Sequence, residues 1–182
     1  MEADMAESYA DSSIRNRLIE AGLTELLEHG SGDFSLRRVA LAAQVSCAAP
    51  YRHFKDKDEL VRAVIAEIRE NWFLLASEIG SIFEPGTAEH ISELLVACVR
   101  FWIGGGNFAP FLNVGELSGF DEPIIAATAA YAKAKGLSSD AATELTCALL
   151  SLTYGAVTLA VSGRLDASSA ADNLRRQVAA LL

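Results

Sequence analysis

The residues best suited to chemistry lie in one short basic stretch, residues 34–57. It carries five Lys and Arg side chains against the single Asp56, a local charge of +4, whereas the whole 182-residue chain has a net charge of −9. Tyr51, Arg52 and His53 follow one another within it. Arginine bonds phosphate or guanine, and tyrosine and histidine donate to phosphate oxygens. The charge asymmetry therefore predicts a phosphate-facing surface on an otherwise acidic protein.

Two short helices joined by a tight turn are predicted to position these side chains. Ser35 is a suitable N-cap for a helix over residues 36–43, and Ser46 for a second helix over residues 47–54. The second helix begins with small side chains, which suit entry into a DNA major groove about 12 Å wide. This pattern predicts a helix-turn-helix.

Helical periodicity continues along the rest of the chain, and strand signals are weak. A long helix is predicted from Asp56 to the break at Pro85, and further helices are predicted at residues 87–104, 107–118, 122–135, 139–163 and 168–181. The sequence thus predicts an all-α protein. It has an acidic, disordered arm at residues 1–12, a helix-turn-helix domain at 13–70, and a helical ligand-binding and dimerisation domain at 71–182.

The segment FSLRRVALAAQVSCAAPYRHFKDKDEL, residues 34–60, closely resembles the DNA-binding part of the tetracycline-repressor (TetR) family of bacterial transcription regulators. The Tyr-Arg-His-Phe run at residues 51–54 is its most specific part. The resemblance covers residues 13–70, and beyond them it is one of helical layout. It implies a ligand-responsive regulator, a repressor, that binds an inverted-repeat operator in double-stranded DNA as a dimer. The predicted DNA-binding residues are Ser35, Arg37, Ser46, Cys47, Ala48, Ala49, Tyr51, Arg52, His53 and Lys57.

The sequence departs from the family pattern in three places. Gln44 occupies a turn where the family often has glycine, so it is expected to carry a side chain into a left-handed conformation costing about 1 kcal/mol. Pro50 removes one backbone donor early in the second short helix. The arm before the first helix is acidic and is not expected to reach the minor groove.

The second domain is predicted to supply the sensor and the dimer contact. Helices at about 139–163 and 168–181 are expected to pack against their own copies, which requires a two-fold operator. An apolar pocket is expected to bind a small apolar or aromatic ligand through the aromatic residues Trp72, Phe101, Trp102, Phe108, Phe111, Tyr131 and Tyr154. The alternative for each aromatic residue is a place in the core.

Other function classes find little support in the sequence. There is no phosphate loop or metal-binding histidine spacing, so we expect neither an enzyme nor a cofactor. Cys98 and Cys147 are predicted to be buried thiols. The uncharged stretch 145–163 is interpreted as a helix buried on most sides rather than a membrane span, and the protein is expected to be cytoplasmic. Two alternatives stay open: a helical small-molecule-binding protein that does not read DNA, and a membrane-associated helical protein.

Overall fold

A computed structural model describes residues 2–30, 32–104 and 119–182, with side chains from residue 12 onward. The described residues form helices and no strands, which confirms the predicted all-α class. The helices are α1 (Glu2–His29), α2 (Leu36–Ala42), α3 (Pro50–His53), α4 (Lys57–Ile82), α5 (Ala88–Gly104), α6 (Glu122–Lys135), α7 (Ser139–Val161) and α8 (Ala167–Leu181).

The first helix is longer than predicted. It begins at Glu2, so the segment 1–12, expected to be a disordered arm, is helical from residue 2. Acidic residues near a helix N-terminus are favourable, and each residue added to an existing helix gains one hydrogen bond. The helix ends at His29 because Gly30 adopts a left-handed conformation (φ 71°) and donates to the Leu26 carbonyl at 2.9 Å.

The chain divides into two compact units, Met1–Ile68 and Arg69–Leu182. The sequence had placed the boundary after residue 70. Helix α4 contributes residues to both units. The helix-turn-helix lies within the first unit, and the predicted sensor helices lie within the second.

The first unit is built around a close approach of α1 to α4. Leu18, Leu26 and Leu60 are fully buried. A Cβ at Gly22 would lie 3.0 Å from a methyl carbon of Val64, so a larger residue there would force Val64 to shift. This packing gives α2 and α3 a rigid support.

The second unit is centred on α5, which packs against α6, α7 and α8. Trp72 is fully buried, and its indole N–H donates to the Phe120 carbonyl at 2.9 Å. Arg175 on α8 forms an ion pair with Glu93 on α5 at 2.8 Å. The apolar contacts bury the core, and the ion pair ties α8 to α5 at its edge.

The environment of α7 differs from the prediction. The helix is long and apolar enough to cross a bilayer, with a mean hydropathy of 1.5, a property that core helices of other proteins share. Only 17% of this apolar window is buried by its own chain, which is less than the predicted burial on most sides. Cys147, predicted to be buried, is exposed, whereas Cys98 is buried as predicted. The amount of apolar α7 surface that the rest of the chain covers depends on tertiary packing, and this cannot be inferred from the spacing of apolar residues in the sequence.

Candidate DNA-binding interface

Helix α2 begins at the N-cap that the sequence predicts. The Ser35 hydroxyl oxygen accepts a hydrogen bond from the Arg38 N–H at 3.4 Å, and the Ser35 backbone is extended (φ −124°). The Ser35 N–H donates to the carboxylate of Glu25 on α1 at 2.9 Å. The start of α2 is therefore tied both to its own first turn and to α1.

Glu25 is the residue that sequence reasoning missed in this region. Its carboxylate is 6% exposed and accepts hydrogen bonds from Arg38 Nε at 2.8 and 3.0 Å. Burial raises the pKa of Glu25, but the hydrogen bonds from Arg38 and Ser35 outweigh burial and leave the pKa below its ordinary value. Arg38 also pairs with Asp33 at 3.3 Å. Arg38 contributes to the charge of the basic stretch, but its guanidinium pairs with acidic side chains of the protein itself.

The turn after α2 is a Schellman motif with glutamine in the usual glycine place. The Val45 N–H donates to the Ala40 carbonyl at 3.0 Å, and the Gln44 N–H donates to the Leu41 carbonyl at 3.1 Å. Gln44 has a φ of 56° and is, among the described residues, the single non-glycine residue with positive φ. The predicted left-handed conformation is therefore confirmed.

The second short helix is shorter than predicted. Helix α3 spans Pro50–His53 rather than residues 47–54, and its N-cap is Ala49, with no side-chain cap from Ser46. Proline has no N–H to donate to the Ser46 carbonyl four residues back, so a helix through residues 47–49 cannot continue its hydrogen bonds across residue 50. Instead the Ala49 N–H donates to Ser46 in a turn, at 2.9 Å. Pro50 occupies the first helical position, where its missing donor costs least.

The predicted DNA-binding residues differ in their exposure. Tyr51 is 64% exposed, and Arg37, Ser46, Cys47, Ala48 and Arg52 are also exposed. Ser35, His53 and Lys57 are partly exposed. Ala49 is 8% exposed, which contradicts its predicted place against the bases. Its methyl group faces the interior because the turn rotates residue 49 toward the core before α3 begins.

Several contacts hold the chain in place directly after α3. Phe54 is 3% exposed and plugs the core, and the guanidinium of Arg15 on α1 lies 5.3 Å from the centre of its ring. Beyond it, the Asp56 carboxylate accepts from the Glu59 N–H at 2.8 Å, while the Glu59 carboxylate accepts from the Lys55 N–H at 2.6 Å. This capping arrangement fixes the start of α4 and with it Lys57.

Among the described residues predicted for the ligand site, Trp72, Phe101 and Trp102 lie next to one another, and Tyr131 and Tyr154 bond other residues. Trp72 and Phe101 have ring centres 5.5 Å apart, and Phe101 and Trp102 are 6.2 Å apart. The Tyr131 hydroxyl donates to the Leu182 main-chain oxygen at 2.7 Å, and the Tyr154 hydroxyl bonds the Asp121 carboxylate. Burial, then the Asp121 carboxylate, raises the pKa of Tyr154. Phe108 and Phe111 lie outside the described residues.

A groove of about 440 Å³ opens between α4, α5 and α6 of the second unit. Its wall is made mostly of small apolar residues, with four alanines and two prolines, and it includes Phe73, Gly80, His90 and Glu122. A second groove, of about 460 Å³ between α4 and α5, is lined by Phe101 among other residues. Within the described ranges, the first groove is lined by none of the aromatic residues that the sequence suggested. It lies instead where alanines and Gly80 leave space between the helices.

Comparisons with known proteins agree with this architecture. Residues 18–64 match the family described as "Bacterial regulatory proteins, tetR family". HTH-type transcriptional regulators of Mycobacterium tuberculosis and Mycobacterium bovis are 26% identical over 91 residues. That match covers 50% of this chain and 38% of each relative, so it spans well under half of their length.

Solved structures share the fold across nearly the whole chain. A TetR transcriptional regulator from Legionella pneumophila superposes with a TM-score of 0.71 at 20% identity, covering 91% of this chain and 95% of its own. The regulator RolR in complex with the ligand resorcinol gives a TM-score of 0.63 at 18% identity, covering 93% and 89%. The helix-turn-helix geometry agrees with the match of residues 18–64 to the tetR family, and the chain shares its fold with these solved structures.

Proposed function

We propose that this protein is a ligand-responsive, sequence-specific DNA-binding regulator of transcription, a repressor that binds an inverted-repeat operator as a homodimer in the cytoplasm. The observation that carries the proposal is the exposed Tyr51-Arg52 pair on α3. Both residues lie on a short helix held by the Schellman turn before it and by the Phe54 plug after it. Rigid presentation of a cation and an aromatic hydroxyl suits DNA contact. The protein is proposed to act by binding and not by catalysis.

The exposed residues divide into two groups by the contacts that their chemistry allows. Cys47 and Ala48 are small and lie where the chain enters α3, so they are assigned to the base edges. The remaining side chains carry donors or positive charge and are assigned to the DNA backbone, with Arg52 also able to reach guanine; they are Ser35, Arg37, Ser46, Tyr51, Arg52, His53 and Lys57. The Ser35 oxygen accepts the α2 cap bond, which leaves its hydroxyl proton to donate to phosphate.

The dimer is proposed to form through α7 and α8. The weak burial of the apolar α7 leaves a face that needs a partner. Its exposed positions include Cys147, Ser151 and Gly155, four residues apart on one stripe. Small side chains let a second helix approach closely. A two-fold dimer then presents two helix-turn-helix units to two half-sites about one DNA turn apart.

The ligand is proposed to be a small apolar or aromatic molecule bound in the second unit. The groove between α4, α5 and α6 has a volume in the usual range for small-molecule sites and an apolar wall. RolR, which has the same fold, is described with resorcinol as its ligand, and this supports an aromatic ligand here. Helix α4 contributes to this groove and also to the first unit. A ligand that binds one conformation better would shift the population of DNA-binding protein.

The decisive experiment is selection of the purified protein against random duplex DNA in moderate salt. We expect an enriched inverted repeat, and we expect Arg52→Ala to reduce binding to the selected site at least tenfold. Arg164→Ala, which removes an equally exposed arginine from the second unit, serves as the matched control and should bind as the wild type does. If the folded protein enriches no sequence, the alternative of a helical ligand-binding protein that does not read DNA replaces the proposal.

A further inference from the structure

His90 is a buried histidine in the wall of the α4–α5–α6 groove. Its side chain is 7% exposed, and in the part of the chain that the structure describes its Nδ1 atom is buried without a hydrogen-bond partner. Its backbone N–H donates to the Thr87 hydroxyl at 3.2 Å, which fixes the residue in the first turn of α5. Nearly all buried polar atoms in proteins are paired, so an unpaired nitrogen on a ring that lines a groove is unusual.

The surroundings of His90 leave room on one side. A Cβ at Gly80 on α4 would lie 3.6 Å from His90 Nε2, an ordinary contact distance, so the missing side chain leaves the edge of the imidazole uncovered. Most of the remaining wall is apolar, with Phe73 and four alanines, and Ser77 and Glu122 are its other polar residues in the described part of the chain.

Burial also lowers the pKa of His90, so the imidazole is neutral at pH 7. A neutral imidazole has one nitrogen that donates and one that accepts. A hydroxyl group both donates and accepts, so it pairs with either nitrogen. An anionic ligand would be repelled by Glu122 and would lose its hydration against the alanine wall.

We propose that His90 is the polar anchor of this groove, and that the groove binds a small, neutral, mostly apolar molecule through one hydroxyl group, as in a phenol. The inference rests on the proposed ligand-responsive function and specifies the chemistry of its ligand. The alanine-rich wall would select ligands by their shape. The hydrogen bond to His90 would favour a hydroxylated molecule over a hydrocarbon of the same shape.

The test compares the affinities of the full-length protein for phenol, toluene and benzoate by ligand-observed NMR titration. The wild type should bind phenol more tightly than toluene and should not bind benzoate. His90→Leu keeps an apolar side chain in the wall and removes the hydrogen bond, so phenol affinity should fall about 3- to 10-fold while toluene affinity stays or rises. His90→Asn should retain part of the preference for phenol, and His29→Leu, at an exposed histidine of the first unit, should retain all of it.

Gly80→Ala provides a second variant that does not touch His90. Its methyl group fits without a clash and favours the helix, so the melting temperature should not fall. The methyl group occupies groove space, and the affinities for phenol and toluene should therefore fall together.

Three results would overturn the proposal: equal phenol affinity in the wild type and His90→Leu, benzoate binding as tight as phenol binding, or no phenol binding by the wild type. DNA selection on the same preparations distinguishes failure of the His90 proposal from failure of the proposed DNA-binding function. If an operator is enriched but phenol binding does not depend on His90, only the role of His90 as anchor is refuted. Phenol binding that depends on His90 without an enriched operator supports the anchor and refutes DNA reading.

Discussion

Replacing Glu25 with Gln tests how helix α2 of the candidate DNA-binding interface is held to α1. The carboxylate accepts from the Ser35 N–H at 2.9 Å and from Arg38 Nε at 2.8 and 3.0 Å. A hydrogen bond to a charged group contributes about 1.5–3 kcal/mol. Because Arg38 is 41% exposed and water can replace its partner, we take the lower end of that range for the whole site. Glu25→Gln should therefore lower the free energy of unfolding by about 2 kcal/mol.

The pH dependence of this loss has a definite sign. The pKa of Glu25 is lowered in the folded protein from the ordinary value of 4.5. Its contribution to stability is therefore fully present above pH 4.5 and is lost as the pH falls through the lowered folded-state pKa. The difference in stability between the wild type and Glu25→Gln should be largest at neutral pH and should shrink below pH 4.5.

Urea denaturation followed by circular dichroism at pH 7 and at pH 3 measures both quantities. Glu28→Gln, an exposed glutamate on the same helix, makes the same change of charge and should stay within about 0.5 kcal/mol of the wild type. Equal stability of Glu25→Gln and Glu28→Gln at pH 7 would refute the reasoning. So would a gap between the wild type and Glu25→Gln that widens on acidification.

Three further predictions address the dimer, the turn and the phosphate contacts. A Cβ added at Gly155 on α7 would meet open space, so Gly155→Arg should fold. It should elute as a monomer in light-scattering chromatography, whereas Ser81→Arg on α4 should remain dimeric; two dimers would contradict the α7 interface. Gln44→Gly should raise the free energy of unfolding by about 0.5–1 kcal/mol by relieving the left-handed backbone, while Ala42→Gly in α2 should lower it by a similar amount, and urea melts giving both the same sign would reject the strain. Lys57→Gln should reduce the slope of log affinity against log salt by about one unit on the selected operator, and an unchanged slope would remove Lys57 from the phosphate contacts.

The parts of the interface that could be predicted from the sequence are those fixed by near neighbours. The cap of α2 joins Ser35 to Arg38, three residues away, and the cap of α4 joins Asp56 to Glu59 at the same spacing. The left-handed Gln44 follows from a turn that needs positive φ at one position. Each of these features depends on residues within one or two helical turns, so local patterns were enough to predict them.

Other features of the site could not be predicted in this way. Ala49 carries the small side chain expected at the bases, yet it is buried, because Pro50 delays the start of α3. Arg38 contributes to the local charge, but Glu25, thirteen residues earlier, takes that charge into the fold. The aromatic residues suggested for the ligand site include Trp72, which instead bonds Phe120 in the core of the second unit. Residue type gave the chemistry of each side chain but not its partner.

The sequence by itself determined the helical class, the places where most helices begin and end, and the motif that identifies the DNA-binding segment. Periodicity, capping residues and turn-forming residues act over three or four positions, so they can be recognised from residues close together in the sequence. The tertiary structure alone decided which basic side chains pair inside the protein, that little of α7 is buried by its own chain, and that His90 borders a groove beside Gly80 and Glu122. These outcomes depend on burial and on pairing between residues far apart in the chain, and the free energies of such contacts are set only when the helices pack.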